Sequence, residues 1–231
     1  MSTAEFFPGS DALAAQSLGT ADHQHASFSE IFADALRGIP CSVRGVYADE
    51  EPLPVHSWLR PADRSDRAVL SHCEGATMDV GCGPGRMSAH LRERGHAVLA
   101  VDIVREAVEQ ARRRGVPALR RNVFDPMPGE GRWDTVLLAD GNIGIGGQPR
   151  ALLRRCAELL GPGGRLVVDL AAPGTGLKTH EARLVSEGRR TSIFPWAQVG
   201  ADAVEPLARQ AGLQVSRLRE HQGRWFAVLA H

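Results

Sequence analysis

Three glycines at alternate positions, Gly81, Gly83 and Gly85, follow the apolar run Ala76 to Val80 and open a helix-like segment. A backbone bent this sharply passes close under a ligand, because glycine permits positive φ and has no Cβ to collide with it. Two carboxylates stand at comparable places further on. Asp102 ends the next strand-like run, 21 residues after Gly81; a carboxylate there accepts hydrogen bonds from both hydroxyls of a ribose. Asp125 closes Asn122-Val123-Phe124-Asp125, after the following run. There a carboxylate takes an adenine amino proton while apolar neighbours cover the ring.

Two phosphate-binding patterns compete for the same glycines. A dinucleotide fingerprint, GxGxxG, needs a third glycine where Arg86 stands, so a nicotinamide-dependent reductase is disfavoured. A P-loop needs GxxxxGK[ST], and no lysine lies near the turn: Lys178 is the only lysine of the chain.

The elements that hold these residues alternate. Ala76 to Val80, His96 to Val101, Pro117 to Arg121, Asp134 to Ala139 and Gly164 to Leu170 read as strands. Helices are predicted over Met87 to Arg94, along the stripe Val104, Ala107, Val108, Ala111, along Leu152, Leu153, Cys156, Leu159, Leu160, and along Val204, Leu207, Ala208, Ala211. Strands spaced by helices indicate βαβ units and a mainly parallel sheet, an α/β fold. Leu213 to Leu218 and Arg224 to Leu229 lie too close for a crossover helix and predict an antiparallel C-terminal edge hairpin. Ligands of such sheets bind beyond the carboxyl ends of the strands.

Residues 1–60 differ from the rest. Ser2 to Ala26 is rich in small and polar residues and is expected to be poorly ordered. Phe28, Ile31, Phe32, Ala35 and Leu36 form a helical stripe, and Pro40, Pro52, Pro54 and Pro61 interrupt the stretch after it. This region is expected to form an N-terminal extension and cap over a domain of residues 61–231. Residues 171–200 are expected to be a long, glycine-rich loop serving as a substrate lid, since a connection of that length in a compact domain is usually functional.

A length of 231 residues fits one domain with a full core. Formal net charge is zero, which argues against a dedicated nucleic-acid or acidic-membrane binder. No apolar run approaches the ~20 residues that span a bilayer. The opening residues MSTAEFFPGSDALAAQ lack the basic start and apolar core of a secretory leader. Cys41, Cys73, Cys82 and Cys156 stand apart from each other and from any Cys/His cluster. That spacing suits a reduced cytoplasm, with no disulfide framework and no zinc.

In this order, the motifs resemble those of the class I S-adenosylmethionine-dependent methyltransferases, particularly the small-molecule branch. Asp79 to Gly85 (DVGCGPG) resembles that family's first motif, and Leu160 to Val168 (LGPGGRLVV) its turn into strand five. The resemblance is close over residues 76–170 and slight over 1–60. It implies a Rossmann-like, seven-stranded, mostly parallel sheet with helices on both faces. It also implies S-adenosylmethionine (SAM) as cofactor and S-adenosylhomocysteine (SAH) as product. The cofactor contacts it implies are Asp79, Gly81, Cys82, Gly83, Gly85, Asp102, Ile103, Val123, Phe124, Asp125, Ala139 and Asp140. Asp102 matches the ribose carboxylate and Asp125 the one near the adenine amino group.

Asp140-Gly141-Asn142 follows strand four, where the family's methyl acceptor sits. These are also turn residues; the functional reading puts Asn142 at the acceptor and gives Asp140 a catalytic role. His180 in the expected lid loop is a candidate general base, against the plainer reading of a solvated histidine, and His56 is a further candidate for the acceptor pocket. Tyr47, Trp58 and Trp196 either wall that pocket or anchor the cap to the sheet. Cys82 reads as a small turn residue and Asp169 as a structural carboxylate.

The acceptor is narrowed by absent motifs. Strand four is not followed by the [DNS]PP[FYW] of base-methylating DNA enzymes, nor by the paired glutamates of the protein-arginine branch. Asp169-Leu170 departs from the Asp-Asn pair of metal-dependent catechol-type enzymes, so no metal is expected. A small-molecule acceptor remains, methylated on O, N or C, with a natural product favoured by analogy. The protein is expected to act as a monomer or homodimer. A SAM-binding regulator or scaffold without methyl transfer is the alternative.

Overall fold

The computed structural model describes residues 24–231. The expected poor order of Ser2 to Ala26 lies almost wholly outside them. The first part of the described chain runs β1 (Gln24–His25), α1 (Phe28–Leu36), β2 (Ser42–Arg44), β3 (Glu51–Pro52), α2 (Val55–Leu59) and α3 (Arg64–Leu70). The alternating part comes next: β4 (Thr77–Val80), α4 (Arg86–Glu93), β5 (Val98–Asp102), α5 (Arg105–Arg113), β6 (Ala118–Arg120), β7 (Trp133–Leu138), a 3-10 turn (Asn142–Gly144), α6 (Pro149–Leu159) and β8 (Leu160–Leu170). The last part comprises β9 (Leu177–Ser186), β10 (Arg189–Arg190), β11 (Phe194–Val199), α7 (Val204–Gln210), β12 (Gln214–His221) and β13 (Arg224–Ala230).

Among the described residues, seven strands form one sheet in the order β12-β13-β8-β7-β4-β5-β6. Strands β4 to β8 pair in parallel, and β13 runs antiparallel to β8. The predicted C-terminal hairpin is β12–β13. All four residues of β4 are buried, as befits a central strand covered on both faces. Side-chain alternation divides the core in two. Val136, Leu138, Leu166 and Val168 pack with Leu152, Leu153 and Cys156 of α6 and Val204 and Leu207 of α7. Leu137, Val167 and Phe226 face the other way, onto Val69 and Leu70 of α3 and Met87 and Leu91 of α4. From β4 the chain builds outward through β5 and β6, then returns to add β7 on the other side of β4. The topological switch point therefore lies between β4 and β7, and ligands of open α/β sheets bind there.

Residues 171–200 are not the loop that the sequence suggested. They form β9, β10 and β11, with β11 antiparallel to β9. Along β9, Ala182, Leu184 and Ser186 are buried while their neighbours are not, the two-residue period of a half-covered strand. Strand β2, from the N-terminal region, pairs antiparallel with the other edge of β9. The second sheet, six strands among the described residues, is thus assembled from two segments far apart in sequence.

Helix α1 starts at a capping box: Ser27 Oγ accepts from the Glu30 amide, and Glu30 accepts from the Ser27 amide. Its Ala33 and Leu36 pack on Val104 and Ala107, and Arg37 pairs with Glu106 at 2.7 Å. Among the described residues no helix is long and apolar enough to cross a membrane.

Candidate active site

The turn after β4 uses its glycines for different ends. Gly81, Gly83 and Gly85 all have positive φ (72°, 52° and 82°), a region that L side chains enter at a cost. A Cβ on Gly83 would meet no atom within 4 Å, so this residue faces open space. A Cβ on Gly85 would lie 2.8 Å from Ala111 Cβ, so that glycine lets α4 approach α5. The Gly83 amide donates to Asp102 Oδ2 (3.0 Å), and the Val104 amide to Asp102 Oδ1 (2.8 Å). Asp102 therefore stitches the turn to the end of β5. Burial pushes its carboxyl above the usual range, while the amides of Val104, Gly83 and Ile103 pull the other way.

Across the switch point, Asn142 Nδ2 donates to the carbonyls of Val80 (3.0 Å) and Gly81 (2.8 Å), fixing the two turns together. Asp140, a non-glycine residue with φ 53°, donates its amide to Asp169 Oδ2 at 2.6 Å. Its carboxylate accepts from Arg86 on one oxygen and from Arg224 (3.1 Å) on the other. The same arginines continue inward. Arg86 and Arg224 (2.6 Å) both pair with Asp66, which Arg60 also reaches at 2.6 Å. Arg224 further pairs with Asp169. Three carboxylates and three guanidinium groups thus interlock beneath the switch point. Burial opposes the Asp66 charge, yet hydrogen bonds from Arg86, the Asp63 amide and Arg60 outweigh it and hold its carboxyl well below the usual range. Held on both oxygens by arginines, the Asp140 carboxylate fixes its turn in place.

Above the turns lies a cavity of about 1370 Å³. Its floor is made by the ends of β4, β5, β7 and β8, its roof by α1, the region of β2 to α2, and strands β9 and β11. Of the residues singled out from the sequence, Gly81, Cys82, Gly83, Asp102, Ile103, Val123, Asp140 and Asn142 line the floor. Tyr47, Trp58 and Trp196 line the roof. The Cys82 thiol is buried and its pKa pushed up by that burial, which makes it a turn residue and no nucleophile.

The remaining expected contacts do not line the cavity, and the structure gives each another place. Asp79 is buried inside β4 and accepts from Ser88 Oγ at 2.6 Å. Gly85 backs onto α5, and Ala139 belongs to the core under the turn. Phe124 packs against the core, while Asp125 is exposed, its amide donating to the Asn122 carbonyl (3.0 Å) and its own carbonyl accepting from Arg155 (2.8 Å). His56 is exposed, with Nε2 3.2 Å from Ser57 Oγ. His180 sits on β9, where Nε2 lies 3.0 Å from Gln198 Oε1; Gln198, not His180, lines the cavity.

Sequence reasoning missed His25, the histidine that does line the cavity, and the aromatic residues Phe28, Phe32 and Phe194. It also missed Arg60, Asp66 and Arg224, whose charges meet only in the folded chain. Arg86 stood out in the sequence solely for not being a glycine.

A family described as a methyltransferase domain matches residues 77–164. The chain is 32% identical over 130 residues to a ubiquinone biosynthesis O-methyltransferase of Xanthomonas oryzae pv. oryzae (strain PXO99A), covering 53% of this chain and 54% of that protein. It is 36% identical over 128 residues to a trans-aconitate 2-methyltransferase of Rhodococcus jostii (strain RHA1), covering 54% and 46%. The chain thus spans about half the length of the curated relatives it matches. Its fold is similar to that of a SAM-dependent methyltransferase from Bacteroides fragilis solved with SAH, with a TM-score of 0.74, 23% identity, and 93% and 97% of the two chains covered. Residues 77–164 thus match a methyltransferase domain, and the fold of the chain is similar to that of a SAM-dependent methyltransferase.

Proposed function

We propose that the protein binds SAM on the floor of the cavity and transfers its methyl group to an O, N or C atom of a small molecule, a specialised metabolite such as a natural product. One observation carries this reading. The open side of Gly83 and the Asp102 carboxylate face the same cavity as the Asp140–Asn142 turn, at the switch point of the sheet.

The floor fits the cofactor. A Cβ at Gly83 would project where a ligand is to lie, and Asp102, in the cavity floor, is an acceptor for ribose hydroxyls. Ile103 and Val123 offer apolar cover for a purine, and Asn122 lines the cavity beside them. When bound, SAM supplies an activated methyl on a sulfonium, the hard part of the chemistry. The chain's own task is then orientation and exclusion of water. Asn142 and the clamped Asp140 hold the acceptor-side turn against β4. The roof closes the cavity over it, and His180 contributes by holding Gln198 in place. A cytoplasmic setting is part of the proposal, supported by free thiols at Cys41, Cys73, Cys82 and Cys156, three of them buried.

Calorimetric titration tests the reading. SAH is expected to bind the parent protein, and Asp102→Ala to weaken it about 10- to 100-fold, the value of charge-assisted hydrogen bonds. Tighter binding of NADH than of SAH would overturn it. Release of SAH with acceptor panels separates methyl transfer from cofactor binding alone. A cavity of about 1370 Å³ exceeds the ~300–1,000 Å³ of a single-ligand site and favours transfer.

A further inference from the structure

We propose that the acceptor is a flat, uncharged aromatic molecule bearing a hydroxyl or carbonyl oxygen, gripped by the roof of the cavity; this rests on the methyltransferase reading above. The cavity divides by chemistry as well as by position. Its floor carries glycines and the paired charges of the switch point. Its roof carries six aromatic side chains, Phe28, Phe32, Tyr47, Trp58, Phe194 and Trp196.

Four of these rings form one continuous wall. Phe194 meets Phe28 edge to face, with centroids 5.1 Å apart and planes at 79°. Phe28 stacks on Phe32 at 5.4 Å and 15°, and Phe32 leans on Trp58 at 5.6 Å and 33°. None of the four is buried, although each touches its neighbours, so apolar ring surface is left facing the cavity. A planar ring added to such a wall gains an aromatic pair worth about 2- to 10-fold in affinity beyond the area it buries. A saturated, buckled ring of the same size gains the area alone.

The charges of the roof are engaged or exposed. Arg60 pairs with Asp63 (2.9 Å) and Asp66 (2.6 Å). Glu30 is bound in the capping box by the amide and hydroxyl of Ser27, both at 2.8 Å. His25 and Glu51 are exposed on β1 and β3. A charged acceptor pressed against Phe28, Phe32, Trp58 and Phe194 would lie on apolar ring surface, and an unpaired buried charge is costly. Among the neutral polar groups of the roof is Gln198. His180 occupies its Oε1, which leaves the amide NH2 as a donor for an oxygen of the acceptor.

The test is binding in the presence of saturating SAH, with three probes of one carbon skeleton: 2-naphthol, 2-decalol and 2-naphthoate. 2-Naphthol is expected to bind about 2- to 10-fold more tightly than 2-decalol, and more tightly than 2-naphthoate. Phe194→Leu should weaken 2-naphthol about 2- to 10-fold while SAH affinity stays unchanged, which shows that the variant has folded. Phe28→Leu gives a second reading of the same wall. Equal or tighter binding of 2-decalol or 2-naphthoate overturns the proposal. So does SAH binding with no affinity for 2-naphthol, or a Phe194→Leu variant that binds 2-naphthol as the parent does. If SAH itself does not bind, the methyltransferase reading fails instead, and the same probe order, measured without SAH, still decides the aromatic site.

Discussion

Asp79 in β4 and Asp102 at the end of β5 both lie beside the glycine turn and have different tasks. Asp102 lines the cavity, whereas Asp79 is 1% exposed beneath it. Burial raises the Asp79 carboxyl from an ordinary 3.8 to about 7, with the Ser88 hydrogen bond opposing and Asp140 adding to the rise. A folded pKa above the unfolded one means that the native state holds more protons than the unfolded chain between pH ~4 and ~7. Stability therefore falls as pH rises through that window. Asp66 has the opposite sign: its depressed carboxyl contributes stability above pH ~4 that is lost on acidification below it. Asn at position 79 keeps an acceptor for Ser88 without a charge. The melting temperature of the parent, followed by calorimetry, is expected to drop between pH 5 and pH 8, and that of Asp79→Asn to drop less. Identical slopes would remove Asp79 as the source. The glycine turn and Asp102 were legible in the sequence because the bend is local and Asp102 follows at the end of the next strand. Asp79 looked like a ligand contact because sequence cannot say to which side of β4 a carboxylate points.

At the scale of elements, β11 is one of the parts of the roof that touch the floor. Ile145 bridges to Trp196, and Gly144 and Gly147 pass directly under the strand. A Cβ on Gly144 would run into the Ala197 carbonyl oxygen, and one on Gly147 would lie 2.6 Å from Pro195 Cβ. Gly144→Ala is expected to lift β11 from the turn and cost about 1–3 kcal/mol of stability, the range for overpacking, with SAH binding retained. An unshifted denaturation midpoint would show that β11 is free to move aside. The helices and central strands were predicted close to their observed bounds, because apolar periodicity is strong where both faces of a sheet are covered. Strands β9 to β11 were not, since residues such as Lys178, His180 and Glu181 interrupt any apolar run.

The whole molecule is tied together at the switch point. Asp66 on α3, Arg86 on α4, Asp140 after β7, Asp169 on β8 and Arg224 on β13 form one charge network. Through Arg224 the C-terminal hairpin is fastened to the turn after β7. Removing one partner of a buried network leaves uncompensated charge, at about 3–5 kcal/mol. Arg224→Met is expected to lose that much in guanidinium unfolding, and the double variant Arg224→Met, Asp169→Asn to recover part of it. A single variant within about 1 kcal/mol of the parent would show the network to be incidental to stability.

The sequence by itself determined the parallel sheet, the edge hairpin and the glycine turn with Asp102. Each is written in short-range periodicity or spacing, which depends only on neighbours along the chain. Only the tertiary structure decided which charges meet and what covers the site. Asp66 and Arg224 stand 158 residues apart, and the roof joins β2 to β9 across the domain. Such pairings depend on which surfaces the finished sheet brings together, and no local pattern of residues records them.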